Sequence, residues 1–299
     1  MKTIMKTALT SLALMLALPA CAQSKPAQNP NDADPALWVV KDADTTIYLF
    51  GTIHVLKPGL TWFDEAVKAA FDKSDQLVLE MVQPDPATMQ QIVLKNGIVT
   101  TGPTLTEQLP ADKRGAYLKA MTEAGLPAPA FDKMKPWLAA VTLSLAPIQK
   151  LGYDPKNGPE TVLADAAKAA NKPVAGLETA EQQIGYFNGL SQKAQIEFLT
   201  STVDELPKAG EEMAKMVDEW AHGDPDALAR DMNESLKDSP EVAKTLLTDR
   251  NARWATWIKQ RMAKPGTVFI AVGAGHLAGA DSVQAQLAKQ DVTAQRIQY

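Results

Sequence analysis

The sequence has very little cysteine and histidine, and it has no block of basic residues. Its 299 residues include one cysteine, Cys21, and three histidines. A single cysteine excludes an intramolecular disulfide framework and a cysteine-rich zinc module. Thirty Lys and Arg against 35 Asp and Glu give a formal net charge of −5, and without a Lys/Arg-rich segment we expect no nucleic-acid partner. The 45% hydrophobic content is ample for a buried core.

The first 22 residues differ in composition from the rest of the chain. Lys2 and Lys6 precede an apolar run that ends at Leu18, and this run is too short to span a bilayer as a permanent helix. The pattern is typical of a secretory signal peptide. We therefore predict an exported protein that is either periplasmic or lipid-anchored to the bacterial membrane.

Two processing outcomes remain open at the end of this signal. The triplet Ala-Cys-Ala at 20–22 fits a signal-peptidase site with cleavage before Gln23. The segment Leu-Pro-Ala-Cys at 18–21 instead resembles a bacterial lipobox, which would leave Cys21 as a lipidated N-terminus. A lipid on Cys21 is the only membrane attachment that we expect, because no later run of 18 apolar residues follows.

The rest of the chain is predicted to be a short linker and one domain. Residues 23–36 are polar and rich in Pro, Asn and Asp, which predicts a flexible linker. Over 37–299, predicted strands alternate with predicted helices, which is typical of an α/β domain with a central mixed sheet flanked by helices. Two mostly helical insertions are predicted over about 86–150 and 180–263.

The first elements of the domain are predicted from local patterns. Short β-rich segments at 37–40 and 45–50 are separated by four residues of turn chemistry, so we expect a hairpin. A helix is predicted to follow, with Thr61 as its cap and an apolar stripe that starts at Phe63.

Four predicted strands end in side chains that bind metals or transfer protons. Two of them run into a Gly-x-x-His motif, at 51–54 and 273–276, and two end in a glutamate, Glu80 and Glu178. Ligands of open α/β sheets bind beyond the carboxyl ends of the strands. We therefore expect these four side chains to meet at one edge of the sheet.

These residue types have a coherent chemistry. Two imidazoles and one or two carboxylates suit Mn²⁺, Co²⁺ or Zn²⁺, and we predict His54, His276 and Glu80 as the ligands. An ion with an open position lowers the pKa of bound water to about 7, and the glutamate not needed as a ligand can act as general base. The sequence leaves open whether Glu80 or Glu178 is that base. The competing interpretation is that these are ordinary capping residues at strand ends.

The remaining motifs carry less weight. Residues 273–278 match Gly-x-Gly-x-x-Ala, the dinucleotide fingerprint, but the 21 residues that follow are too few for the rest of such a unit. His222 precedes a glycine that stops a helix, and we expect it to be exposed.

The ordered set of motifs resembles the TraB/PrgY/GumN family, which is related to the TIKI metalloproteases of animals. The resemblance rests on GTIH, LVLEM, GLETAEQ, DRN and VGAGHLAG, which begin at positions 51, 77, 176, 249 and 272. It extends over about residues 37–299.

This resemblance implies a metal-dependent hydrolase with a fold similar to the erythromycin esterase and ChaN group. It implies a peptidase that uses Mn²⁺ or Co²⁺ on a peptide or protein substrate in the cell envelope. His54 and His276 would be the motif histidines, Glu80 and Glu178 the family acids, and Arg250 the family arginine. Arg250 is implied by the resemblance alone; its guanidinium would bind a substrate carboxylate or a developing oxyanion. The alternative function is a non-catalytic protein that sequesters a secreted peptide, haem or a metal.

Overall fold

The computed structural model describes residue 29 and residues 31–236 and 239–299, without the side chains of 232–236. The predicted signal peptide, Cys21 and half of the predicted linker lie outside the described residues. In the part of the chain that is described, no helix combines the length and the apolar character needed to cross a membrane.

Six strands of the described residues form one mixed sheet. They are β1 (Leu37–Lys41), β2 (Thr45–Thr52), β3 (Gln76–Met81), β4 (Val174–Glu178), β5 (Gly266–Gly273) and β6 (Gln295–Ile297). Their order across the sheet is β4-β3-β5-β2-β1-β6. Strands β4, β3, β5 and β2 are parallel, whereas β1 is antiparallel to both β2 and β6. The predicted hairpin and the predicted central mixed sheet are both confirmed.

Helices account for most of the remaining chain. They are α1 (Glu65–Lys73), α2 (Pro86–Gly97), α3 (Leu105–Gln108), α4 (Ala111–Ala124), α5 (Pro136–Lys150), α6 (Pro159–Ala169), α7 (Ala180–Gly189), α8 (Gln192–Glu205), α9 (Ala209–Ala221), α10 (Pro225–Leu236), α11 (Pro240–Ala243), α12 (Asp249–Arg261) and α13 (Val283–Ala288). Single 3₁₀ turns lie at Ala128–Phe131, Pro155–Asn157, Leu206–Lys208 and Ala274–Leu277, and a π turn at Lys244–Thr248 precedes α12.

The sheet is buried on both faces. Side chains of a strand alternate between faces, so Phe269 joins an aromatic cluster with Phe50 on one side of β5 while Ile270 joins Trp254 of α12 on the other. The first face is covered by α1 and α6, and the second by α12 and α13. A separate helical core forms where α4, α5 and α8 pack together.

The helix predicted to start at Thr61 begins later. Its first residue is Glu65, and Asp64 is the N-cap. Thr61 cannot cap a helix because its backbone pairs with the incoming chain: its N–H donates to Asn31 and its carbonyl accepts from Ala33. Phe63 therefore lies before the helix. Its ring packs against Phe71 at a centroid distance of 5.2 Å.

Candidate metal and catalytic site

The parallel strands bring the predicted residues to one edge of the sheet. Thr52 pairs with Gly273, and Met81 pairs with Glu178, so the four strands end side by side. The N–H of Gly273 donates to Oε1 of Glu80 at 2.7 Å. The glutamate that ends one strand therefore contacts the Gly-x-x-His motif of the next.

Gly273 marks the centre of this edge. The position that a Cβ would take on Gly273 is 3.1 Å from Oε1 of Glu80, 3.7 Å from Cδ2 of His276 and 3.8 Å from Cε1 of His54. Both ring carbons are bonded to Nε2 in their imidazoles. Two Nε2 atoms and one carboxylate oxygen thus surround a space that a larger residue at 273 would fill.

His276 is held in one orientation by a buried amide. Its Nδ1 lies 2.5 Å from Oδ1 of Asn251, and both residues are buried. An amide oxygen can only accept, so Nδ1 carries the hydrogen and Nε2 keeps its lone pair. Burial lowers the pKa of His276 to about 3, which keeps the imidazole neutral. The ring also packs against Trp254 at 4.4 Å.

His54 lies at the rim of the site and is held by Glu160. Its side chain is 70% exposed, and Nδ1 lies 2.6 Å from Oε1 of Glu160. The same oxygen accepts from the hydroxyl of Thr52 at 2.6 Å. The hydrogen bond to Glu160 raises the pKa of His54 to about 9. At neutral pH the ring is therefore an imidazolium: Nδ1 donates to Glu160, and Nε2 would have to lose its hydrogen before it could bind an ion.

Arg250 joins the buried groups of the site. Its Nη2 donates to Oε2 of Glu80 and to Oε2 of Glu178, each at 2.7 Å. Its Nη1 lies 3.1 Å from Nε2 of His276. The guanidinium stacks 4.7 Å from the ring centroid of Trp254. One buried cation thus connects both predicted glutamates to the second predicted histidine.

Glu178 is fully engaged by donors. Besides Arg250, its oxygens accept from Nε1 of Trp254 at 3.1 Å, from the Tyr186 hydroxyl at 3.2 Å and from Gln183 at 3.2 Å. A carboxylate offers about four lone-pair positions, so these partners occupy Glu178. This geometry suits a residue that fixes Arg250 in place.

Glu80 is the glutamate that faces the two histidines. Its Oε1 lies 3.7 Å from Nε2 of His276. Burial by itself raises the pKa of Glu80, but the two histidines, Arg250 and the Gly273 N–H outweigh it and lower the pKa to about 2. Glu80 is therefore ionised at neutral pH.

Two residues of the site were missed by the sequence analysis. Glu160 follows Pro159 at the start of α6 and there resembles an ordinary first-turn acid. Asn251 stands next to Arg250 in the DRN segment, and that adjacency was the only signal for it. His222 is 74% exposed at the end of α9, as predicted, and takes no part in the site.

The side chains of the site are of the types that bind divalent ions, but they are not arranged as the ligands of a single ion. In residues 31–236 and 239–299, no three His, Cys, Asp or Glu side chains are gathered into a metal-binding group. Arg250 lies against Glu80 and His276, and His54 stands at the rim. Each imidazole nevertheless donates Nδ1–H to a neighbouring oxygen, which is the arrangement that orients histidine ligands in metal sites. We conclude that the chemistry of this set fits a metal, provided that His54 and Arg250 shift.

Comparisons with known proteins agree on one family. The profile of the TraB/PrgY/gumN family matches residues 36–296. The chain is 25% identical over 249 residues to YbaP of Escherichia coli (strain K12) and to YbaP of Shigella flexneri, covering 82% of this chain and 89% of each relative. It is 22% identical over 265 residues to a protein of Treponema pallidum (strain Nichols), covering 78% of that protein. All three relatives are described as uncharacterized. No solved structure matches significantly.

Proposed function

This chain belongs to the TraB/PrgY/gumN family, and on that premise we propose that it is an exported metal-dependent hydrolase. We propose a peptidase that cleaves peptide or amide bonds of a substrate in the cell envelope, with Mn²⁺ or Co²⁺ favoured and Zn²⁺ as a further candidate. We also propose that its fold is of the erythromycin esterase and ChaN type. Export rests on the N-terminal sequence pattern alone.

The observation that carries the proposal is the matched orientation of the two histidines. His54 and His276 each have Nδ1 against an oxygen acceptor, Glu160 at 2.6 Å and Asn251 at 2.5 Å. Both rings approach the same space over Gly273. Neutral His276 has its lone pair on Nε2, and His54 would reach the same tautomer once an ion displaces its second proton, so both rings would then offer Nε2 to one ion.

His54, His276 and Glu80 would hold the ion in this proposal. A divalent ion with an open position would supply a nucleophilic water at neutral pH and polarise the substrate carbonyl. Glu80 is the carboxylate beside the histidines; one of its oxygens would hold the ion, and the other would accept the proton of the attacking water. Glu178 would not act as a base, because its oxygens already accept from Arg250, Trp254, Tyr186 and Gln183.

Arg250 would stabilise negative charge on the substrate. The single lone pair of His276 Nε2 cannot accept from Arg250 and bind an ion at once. Metal binding would therefore free the Nη1 hydrogen of Arg250 while Glu178 retains Nε and Nη2. A freed, fixed N–H donor in a buried site is suited to a developing oxyanion or a substrate carboxylate.

A non-catalytic binding protein is the second candidate, and one observation favours it. Arg250 already satisfies Glu80 and His276 through hydrogen bonds of 2.7 Å and 3.1 Å. With Glu80 and His276 already paired to Arg250, neither group is available to activate water. Such a site could bind a secreted peptide, haem or a metal without catalysis.

Peptide cleavage distinguishes the two candidates. The purified protein is incubated with Mn²⁺ or Co²⁺ and a random peptide library, and new termini are identified by mass spectrometry. We expect cleavage by the parent and by His222→Ala, whose side chain is 74% exposed and pairs with Asp218 on its own helix. We expect at least a 100-fold loss in His54→Ala and Glu80→Gln. Cleavage at the parent rate by both site variants, or none with any metal, contradicts the hydrolase proposal.

A further inference from the structure

Strand β4 forms one edge of the sheet and has β3 as its single strand neighbour among the described residues. The N–H of Leu77 donates to the carbonyl of Pro173. Backbone groups alternate in direction along a strand, so Ala175 and Leu177 also face β3. The N–H and C=O groups of Val174, Gly176 and Glu178 therefore point to the open side of the sheet.

A cavity of about 370 Å³ borders this edge. Residues 176–182, from β4 into the first turn of α7, form one wall, and Val82, Pro84, Thr88 and Ile92 from the β3–α2 region form the other. Val82 is 48% exposed although it is apolar. The volume falls in the range of small-ligand pockets, and its walls combine outward backbone groups with apolar side chains.

The cavity and the candidate site share one residue. Glu178 lines the cavity, and its carboxylate binds Nη2 of Arg250 at 2.7 Å. Gly176 is exposed, and a Cβ there would lie 2.8 Å from the carbonyl oxygen of Glu178 and 3.1 Å from the backbone nitrogen of Val82. Because residue 176 is glycine, no side chain covers the backbone where β4 borders the cavity.

We propose that this edge binds the substrate, an extended peptide that pairs with β4 and directs an apolar side chain into the cavity. Outward N–H and C=O groups two residues apart match an extended peptide backbone, which is the principle of strand addition. The pairing leads along β4 towards Glu178 and Arg250. The inference rests on the proposed peptidase function for its orientation towards the site, but the binding itself needs no metal.

Amide hydrogen exchange tests the pairing directly. The purified protein in chelator is mixed with random decapeptides, and the tightest-bound peptide is selected. In the free protein, the amides of Ala175 and Leu177 should exchange slowly and those of Val174 and Gly176 quickly. Bound peptide should slow Val174 and Gly176 at least 10-fold. Single N-methyl groups along the peptide should weaken binding at least 10-fold at every second residue.

A cavity-filling variant tests the location. Thr88→Trp should weaken peptide binding at least 10-fold, whereas Gln90→Trp, also exposed on α2 but outside the cavity lining, should stay within about twofold. Circular dichroism checks folding, and Val82→Trp replaces Thr88→Trp if the latter does not fold. Absence of peptide binding, equal binding by the filled variant, or no two-residue periodicity overturns the inference.

These outcomes separate the inference from the proposed function. Peptides that bind with the expected periodicity but are not cleaved with any metal contradict the hydrolase proposal and leave the edge site standing. Cleavage with the same KM in parent and Thr88→Trp contradicts the edge site and leaves the hydrolase proposal standing.

Discussion

Nη1 of Arg250 lies 3.1 Å from Nε2 of His276, the atom that a metal ion would also need. The imidazole is neutral, so its lone pair is available to either cation. In the proposed metal centre, a divalent ion would therefore compete with Arg250 for His276 and Glu80. Glu178 holds the guanidinium beside the site through Nε and Nη2.

Removing Arg250 should change stability and metal binding in opposite directions. Arg250→Ala removes the closest cation from two buried carboxylates, Glu80 and Glu178, so the metal-free variant should lose about 3 kcal/mol of unfolding free energy. A divalent ion should then stabilise the variant more than it stabilises the parent. Urea unfolding with and without Mn²⁺ measures both effects. Arg253→Ala is the comparison for a looser partner of the same carboxylate: its Nη2 lies 3.9 Å from Oε1 of Glu178, but the side chain is 50% exposed, so its loss should cost less than about 1 kcal/mol. An equal Mn²⁺ effect in parent and Arg250→Ala would count against the competition.

The two histidines should titrate far apart in the metal-free protein. NMR should show His54 with a pKa near 9, because of its bond to Glu160, and His276 neutral down to about pH 3, because of its burial. The pKa of His54 is raised above its ordinary 6.5, so its contribution to stability is complete below pH 6.5 and is lost as the pH rises through 9. Glu160→Gln should return this pKa towards 6.5. If both histidines titrate near 6.5, neither the hydrogen bond from His54 to Glu160 nor the burial of His276 acts as described.

Glu160 should matter for metal affinity although it is not a proposed ligand. Glu160→Gln keeps the size of the side chain but removes the charge that polarises His54, and changes of this kind cost about 10–100-fold in metal affinity. Calorimetric titration with Mn²⁺ or Zn²⁺ gives the dissociation constants. Glu123→Gln is the control, because Glu123 is 66% exposed and pairs only loosely with Lys119 at 3.8 Å. Equal losses in both variants would assign Glu160 no specific role.

Gly158 should be needed for the position of the His54 loop. A Cβ at Gly158 would collide with the carbonyl group of His54, so Gly158→Ala should displace the loop and weaken metal binding together with stability. Gly115 lies on the exposed side of α4 with open space around it, and Gly115→Ala should stabilise the helix by up to about 1 kcal/mol. Thermal unfolding and the same metal titration compare the pair. If Gly158→Ala unfolds and binds metal like the parent, the His54 loop accommodates the added methyl group and the prediction is wrong.

The strands and the edge of the sheet were predictable because short-range patterns specify them. Buried runs ending in Gly-x-x-His or glutamate indicated β2, β3, β4 and β5, and parallel pairing brings such ends together. Thr61 was assigned wrongly as a cap, since its pairing with Asn31 joins distant parts of the chain. Local sequence carries no signal for such a contact.

The same limit applies to the site. His54 and Glu160 are 106 residues apart, and His276 and Asn251 are 25 apart. Neither Glu160 nor Asn251 belongs to a motif that identifies it as a histidine partner. The engagement of Glu178 by Arg250, Trp254 and Tyr186 depends likewise on packing of α7 and α12 over the strand end. The sequence predicted the residue types at the edge, but which of Glu80 and Glu178 faces the histidines needed the structure.

The most direct test of the account is the ligand set of a bound metal. X-ray absorption spectroscopy of the Co²⁺-loaded protein should show two imidazole nitrogens and carboxylate oxygen around one tightly bound ion. The His54→Ala, His276→Ala double variant should lose the imidazole signal. An absence of stoichiometric Co²⁺ binding, or the same imidazole signal in the double variant, would contradict the proposal that His54, His276 and Glu80 form a metal centre.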